Sequence, residues 1–265
     1  MDLFPDEVLL EIFDLYVNPE HADAWHTLIH VCQRWRAIVL SSPRRLNLKI
    51  LCKSRRQVRK MLDMWPAFPI VVWHDEPGKW FREDNIAAAL EHPDSVREIR
   101  FKGISKQMLR DVMKAMDVPF LVLTTLELKL CSSCWPLLPD PFLGGSAPRL
   151  QSLDIDVAAV FPIRKLLLSA SDLVHLSLGI DHYGATPEEI ATCLSSMARL
   201  ESISLVFKYS DPYPWRPRPA DQRPSPLSRA ILPALTYFGF KGAGDYLDDI
   251  MAHLDAPLLD DVTLL

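Results

Sequence analysis

A six-residue pattern, apolar-x-x-apolar-x-apolar, recurs through most of the chain. It reads Val96/Ile99/Phe101, Leu123/Leu126/Leu128, Leu150/Leu153/Ile155, Leu173/Leu176/Leu178, Leu200/Ile203/Leu205, Leu235/Phe238/Phe240 and Leu259/Val262/Leu264. Successive copies start 27, 27, 23, 27, 35 and 24 residues apart, a period characteristic of stacked structural repeats. Phe68/Val71/Trp73, 28 residues before Val96, reads as an earlier degenerate copy. Alternation inside each copy predicts a short strand. Between copies the apolar spacing changes to that of a helix. Met108, Leu109, Val112, Met113 and Met116 follow Ser105, and Tyr246, Leu247, Ile250, Met251 and Leu254 form a second stripe. Thr186-Pro187-Glu188-Glu189 has the spacing of a capping box, with Ile190 and Leu194 continuing the helix. A strand followed by a crossover helix, repeated, predicts a parallel sheet with helices stacked outside it.

The first 48 residues follow a different pattern. Val8, Leu9, Ile12, Phe13, Tyr16 and Val17 lie on one broad helical face, and Asn18-Pro19 ends the run. Pro5 suits the first helical position, with Asp6 and Glu7 complementing the positive helix end. Trp25, Leu28, Ile29, Cys32, Trp35, Ile38 and Val39 form a second amphipathic run, ended by Ser41-Ser42-Pro43. Two or three short helices bury little core by themselves, so this module is expected to need a partner surface. The fold class expected is α/β: a helical module over 1–48, then a repeat solenoid over 49–265.

Composition narrows the function classes. The chain has 265 residues, 49% hydrophobic and 24% charged, as in folded globular proteins. A net charge of −5 argues against a dedicated nucleic-acid binder. No apolar run approaches the ~18 residues of a membrane span, and Asp2, Asp6 and Glu7 stand where a signal peptide would carry basic residues. An intracellular protein, cytoplasmic and/or nuclear, is expected. Its five scattered cysteines read as reduced thiols. There are 22 prolines but only 9 glycines. Pro93, Pro119, Pro148, Pro233 and Pro257 each precede a repeat strand, and six more fall in the 210–228 stretch with Trp215. That stretch reads as an extended loop inserted into one repeat, which accounts for the 35-residue interval.

The N-terminal text FPDEVLLEIFDLY followed by VCQRWRAIVL resembles the F-box. Pro5, Glu7, Ile12, Phe13, Val31, Cys32 and Trp35 match the family pattern, and Phe4 replaces its usual Leu. The repeats resemble leucine-rich repeats, in the ragged form of the F-box proteins of mushroom-forming fungi. Only Cys131 occupies the turn position where such repeats usually carry Asn or Cys. The resemblance implies docking on a Skp-type adaptor through Phe4, Pro5, Glu7, Ile12, Phe13, Val31, Cys32 and Trp35, and through the adaptor to a cullin–RING ubiquitin ligase. The repeats would then recognise a protein target of unknown identity. A non-catalytic interaction scaffold that does not direct ubiquitination is the alternative.

Residues alternating with the buried ones line one face of the expected sheet. Arg100, Glu127, Lys129, Asp154, Asp156, His175, Tyr237 and Lys241, with Trp215 on the Pro-rich loop, are the candidate target contacts. This face is polar and mixed in sign, which suits protein recognition. Neither catalysis nor a cofactor or metal is expected. Cys131-Ser-Ser-Cys134 lacks a second ligand pair, and His175, Ser177 and Asp154 lack a nucleophile elbow. The basic run Lys53–Lys60 reads as a solvated helix face or a nuclear localisation signal, with Val58, Met61 and Leu62 facing inward. The last copy finishes on its strand at Leu264 without a covering helix, so either a continuation or an edge offered to a partner is expected.

Overall fold

The computed structural model describes residues 4–17, 24–43, 45–52, 58–65, 68–74, 83–104, 106–130, 142–156, 164–180, 186–207 and 229–265. Three helices come first: α1 (Asp6–Tyr16), α2 (Trp25–Leu28) and α3 (Gln33–Ser41). Pro5 sits one place earlier than its sequence suggests. It is the extended cap before α1, and its carbonyl accepts the Leu9 N–H at 3.2 Å. The second apolar run is broken into α2 and α3. His30 and Val31 donate into tight turns, and Cys32 is extended so that its Sγ accepts the Trp35 N–H at 3.4 Å.

The strands and helices then alternate. They run β1 (Ile50–Cys52), α4 (Val58–Met64), β2 (Ile70–His74), α5 (Glu83–Leu90), β3 (Val96–Ile104), α6 (Lys106–Ala115) and β4 (Thr125–Leu130). A short 3₁₀ turn (Phe142–Gly145) leads to β5 (Ser152–Ile155), α7 (Arg164–Ser169), β6 (His175–Ile180), α8 (Pro187–Leu194) and β7 (Ser202–Phe207). The chain continues through β8 (Ala230–Ile231), β9 (Tyr237–Lys241), α9 (Gly244–Ala252), β10 (Leu254–Asp255) and β11 (Asp261–Leu264). Nine strands form one sheet in the order β1-β2-β3-β4-β5-β6-β7-β9-β11, and every pairing is parallel. The fold is therefore α/β with a large parallel sheet wound in chain order. β8 and β10 form a separate parallel pair.

Local chemistry explains the repetition. Most strands are entered through a tight turn: Ser95→His92, Leu123→Phe120, Leu150→Ala147, Leu173→Ala170, Leu200→Met197, Leu235→Leu232 and Leu259→Ala256, each N–H donating to the carbonyl three residues back. Pro93, Pro148, Pro233 and Pro257 occupy the second position of such turns, where a fixed φ near −65° is favourable. Beside five of these turns one carbonyl accepts two N–H groups from the next repeat. Thr124 O receives Gln151 and Ser152, Gln151 O receives Val174 and His175, and Val174 O receives Glu201 and Ser202. Glu201 O and Thr236 O do the same for the repeats that follow. This backbone relay sets the stagger between repeats without an asparagine at the turn.

The register then stacks the apolar positions. Ile99, Leu126, Leu153, Leu176, Ile203, Phe238 and Val262 form one row, and Phe101, Leu128, Ile155, Leu178, Leu205, Phe240 and Leu264 the next. All are buried except on β11, where Val262 and Leu264 are exposed. The degenerate copy Phe68/Val71/Trp73 is out of phase by one residue. A register shift between Ile70 and Val71 places Val72, not Val71, opposite Ile99. The sheet also begins one strand earlier than the repeat pattern suggests, because β1 is three consecutive buried residues with no alternation to read. Val58, Met61 and Leu62 are buried as expected, whereas Lys53 to Gln57 lie outside the described residues.

One continuous cluster of buried side chains runs from Leu9 in α1 to Leu254 in β10. Trp25 joins the helices to the sheet. It is fully buried, its Nε1–H donates to the Lys49 carbonyl at 3.1 Å, and its ring stands edge-on to Trp65 and Phe68. Among the described residues, no helix is long and apolar enough to cross a membrane.

Candidate functional site

Two surfaces carry the candidate residues. On the helical module, α1 buries Leu9 and Phe13 and leaves Val8, Ile12, Leu15 and Tyr16 exposed. The broad apolar face of α1 is thus divided. Phe13 packs edge-on against Trp35 with ring centroids 4.8 Å apart, and it is inaccessible to a partner. Phe4, Ile12 and Val31 are about half exposed, and Pro5 and Glu7 are exposed, whereas Cys32 and Trp35 are half-buried. Arg34, which sequence reasoning passed over, clips α3 to the start of α1. Its guanidinium donates to Asp6 Oδ1 at 2.7 Å and to the Phe4 carbonyl at 2.7 Å. Arg45 adds a second exposed clip to Glu11 Oε1 at 2.8 Å. Neither clip has a sequence signature, since each joins residues about thirty positions apart.

On the sheet, alternation places the polar residues on one face in two rows. Glu98, Thr125, Ser152, His175, Ser202, Tyr237 and Asp261 form the first row; Arg100, Glu127, Asp154, Ser177, Ser204, Gly239 and Thr263 form the second. Lys102 and Lys129 are register partners beyond them. Charges over β3–β5 pair with one another. Lys49 Nζ lies 2.6 Å from Glu98 Oε1 and Arg100 Nη2 lies 3.2 Å from Glu98 Oε2. Lys102 and Lys129 each reach Glu127 Oε1 at 3.2 Å, and Lys129 reaches Asp154 Oδ2 at 2.8 Å. The hydrogen bond to Asp154 is the first reason the Lys129 ammonium titrates above its ordinary value. Lys49 is a further residue that the sequence did not offer, because it precedes β1 and belongs to no repeat.

The face changes character beyond β5. His175 Nδ1 and Ser202 Oγ are 2.9 Å apart, so the hydrogen-bonded neighbour of His175 is Ser202. Gly179 and Gly239 keep the floor low. A Cβ on Gly179 would lie 2.6 Å from Asp156 Oδ1, and one on Gly239 would lie 2.9 Å from the Tyr237 hydroxyl. The sheet thus brings these charges into two adjacent ion-pair groups, Arg100 with Glu98 and Lys49 in one, and Lys102, Glu127, Lys129 and Asp154 in the other. His175, Tyr237 and Lys241 lie further across the same face. Trp215, the Pro-rich stretch, Cys131 and Cys134 lie outside the described residues. No protein-family model matches the chain, and no curated protein matches it.

Proposed function

We propose that this chain is the target-recognition subunit of an SCF-type (Skp–cullin–F-box) ubiquitin ligase, with an F-box at its N-terminus and leucine-rich-repeat-like units behind it. The observation that carries the reading is the divided face of α1. Leu9 and Phe13 anchor the helix inward, while Val8, Ile12, Tyr16, Phe4 and Val31 leave an apolar surface open to solvent. A monomer gains nothing from such a surface, whereas an adaptor covering it would remove that apolar area from water. The parallel sheet behind it, with its polar face exposed, supplies a separate surface for a protein target. The chain's own part in ubiquitination is positional: tethering raises the local concentration of a target lysine near a conjugating enzyme carried by other subunits.

Capture of the purified chain on an immobilised Skp-type adaptor tests this. Ile12→Asp, at an exposed position, and Pro5→Ala are expected to abolish capture together while leaving the helical circular-dichroism signal intact. Capture that survives both changes refutes the reading. If capture occurs but the Ile12→Asp and Pro5→Ala pair that abolishes it leaves the ubiquitination of a co-purified target unchanged, the chain is an interaction scaffold instead.

A further inference from the structure

We infer that the β3–β4 part of the polar face recognises an acidic, extended polypeptide segment of the target, with Arg100 as the residue that grips it. This rests on the receptor reading only for the word target; the surface chemistry stands by itself. Of the two ion-pair groups, one sets two cations (Lys49 and Arg100) against a single carboxylate (Glu98), and the other sets two cations (Lys102 and Lys129) against two carboxylates (Glu127 and Asp154). The two signs are also layered. The side chains of Lys102, Lys129 and Arg100 are 48%, 42% and 40% exposed, whereas those of Glu127 and Glu98 are only 12% and 17% exposed. Lys49 (21%) and Asp154 (29%) lie between, so the layering is that of Glu98 and Glu127 beneath Arg100, Lys102 and Lys129, and an approaching partner meets these three cations first.

Arg100 is the cation in surplus. Glu98 already has Lys49 at 2.6 Å, and Lys102 and Lys129 serve Glu127 and Asp154. The Arg100 guanidinium makes a 3.2 Å contact to Glu98, and its Nε–H is buried without a hydrogen-bond partner. An unsatisfied donor on a cation is unfavourable, and the matching acceptor is a carboxylate that takes Nε–H and Nη–H together. Turning the side chain outward onto such a ligand satisfies the fork, and Glu98 keeps its lysine. Lys102, one row beyond, then meets the next acidic residue of an extended segment, since alternate side chains of a strand lie ~7 Å apart. Further across, Ser177, Ser202 and Ser204 offer hydroxyls over a floor kept low by Gly179.

Fluorescence anisotropy of the full chain with two labelled peptides of about eight residues, ~27 Å when extended, tests this. One alternates Glu and Ser, the other Lys and Ser. The acidic peptide is expected to bind, with affinity falling as salt rises. Arg100→Gln should weaken it at least about tenfold, and Arg100→Lys should recover only part, because the ammonium lacks the fork. Lys102→Gln, at the most exposed of these cations, is a second variant that leaves Glu127 its pairing with Lys129 and should weaken binding several-fold. Equal binding of the basic peptide, full affinity in Arg100→Gln, or preference for a single-stranded oligonucleotide overturns the inference. Adaptor capture is read in parallel. Capture without acidic-peptide binding refutes this inference alone, and acidic-peptide binding without capture refutes the receptor reading alone.

Discussion

Replacing Trp25 tests whether the N-terminal helices and the sheet form one cooperative structure. The indole is fully buried, donates to the Lys49 carbonyl at 3.1 Å, and stands edge-on to Trp65 and Phe68. Trp25→Ala removes the ring from a closed core, a loss of about 3–5 kcal/mol. The orphaned Lys49 carbonyl adds about 1 kcal/mol. Trp25→Phe keeps most of the buried area and forfeits chiefly the hydrogen bond, about 1–2 kcal/mol. With an unfolding entropy of ~2.1 cal/mol/K per residue, a chain of 265 residues should lose about 7–11 °C in Tm for Ala and about 2–4 °C for Phe. Thermal melts followed at 222 nm, with urea midpoints alongside, measure both. A single transition that moves as a whole is expected. A Trp25→Ala melt within 2 °C of the parent, or a split melt whose sheet transition stays put, refutes the shared core.

Other expectations concern single sites. The Cys52 thiol is pushed up to about 12 by burial, and that of Cys193 is raised for the same reason, whereas Cys32 is only half-buried. Site-resolved iodoacetamide labelling at pH 8 should therefore modify Cys32 and spare Cys52 and Cys193 until denaturant is added; rapid labelling of Cys52 in the native chain contradicts its burial. Because the folded Cys52 thiol titrates above the unfolded value near 9, its contribution to stability is fully present below pH 9. It is lost as pH rises from about 9 to about 12, which urea midpoints across that window will register. Gly144 has φ +57°, and a Cβ there would lie 2.6 Å from Pro119 N and Cδ; Gly144→Ala should cost about 1–3 kcal/mol. Thr186 caps α8 and closes a reciprocal bond with Glu189. Thr186→Ala should cost about 1 kcal/mol by chemical denaturation, and no loss would mean the box is ornamental.

The strands of the repeats were legible because their information is local. An apolar residue at every second position, a proline-led turn before it, and a helical stripe after it are all readable within about thirty residues. β1 and the phase of β2 were not legible. A strand of three buried residues has no alternation, and the shift at Ile70/Val71 is decided by pairing with β3, which no window over β2 contains. The candidate site was legible to the same depth. Alternation put Arg100, Glu127, Lys129 and Asp154 on one face, but their mutual pairing depends on a register linking residues about 25 positions apart, and Lys49 enters from 49 positions away. On α1, periodicity grouped Ile12 with Phe13. The fold separates them, because only Phe13 turns toward Trp35.

Strand order equal to chain order has a mechanical consequence. β1 and β11 lie at opposite edges of the sheet, so tension applied between those edges passes through every ladder in series. In a series arrangement the weakest joint yields first and the others stay loaded below their limit. β1 meets β2 over three register pairs, fewer than any other ladder of this sheet; β4–β5, β5–β6 and β9–β11 have four each, against six for β3 with β4 and for β6 with β7. Pulled in this way, the molecule should part first between β1 and β2, while the six-pair β3–β4 ladder that carries Arg100 keeps its shape.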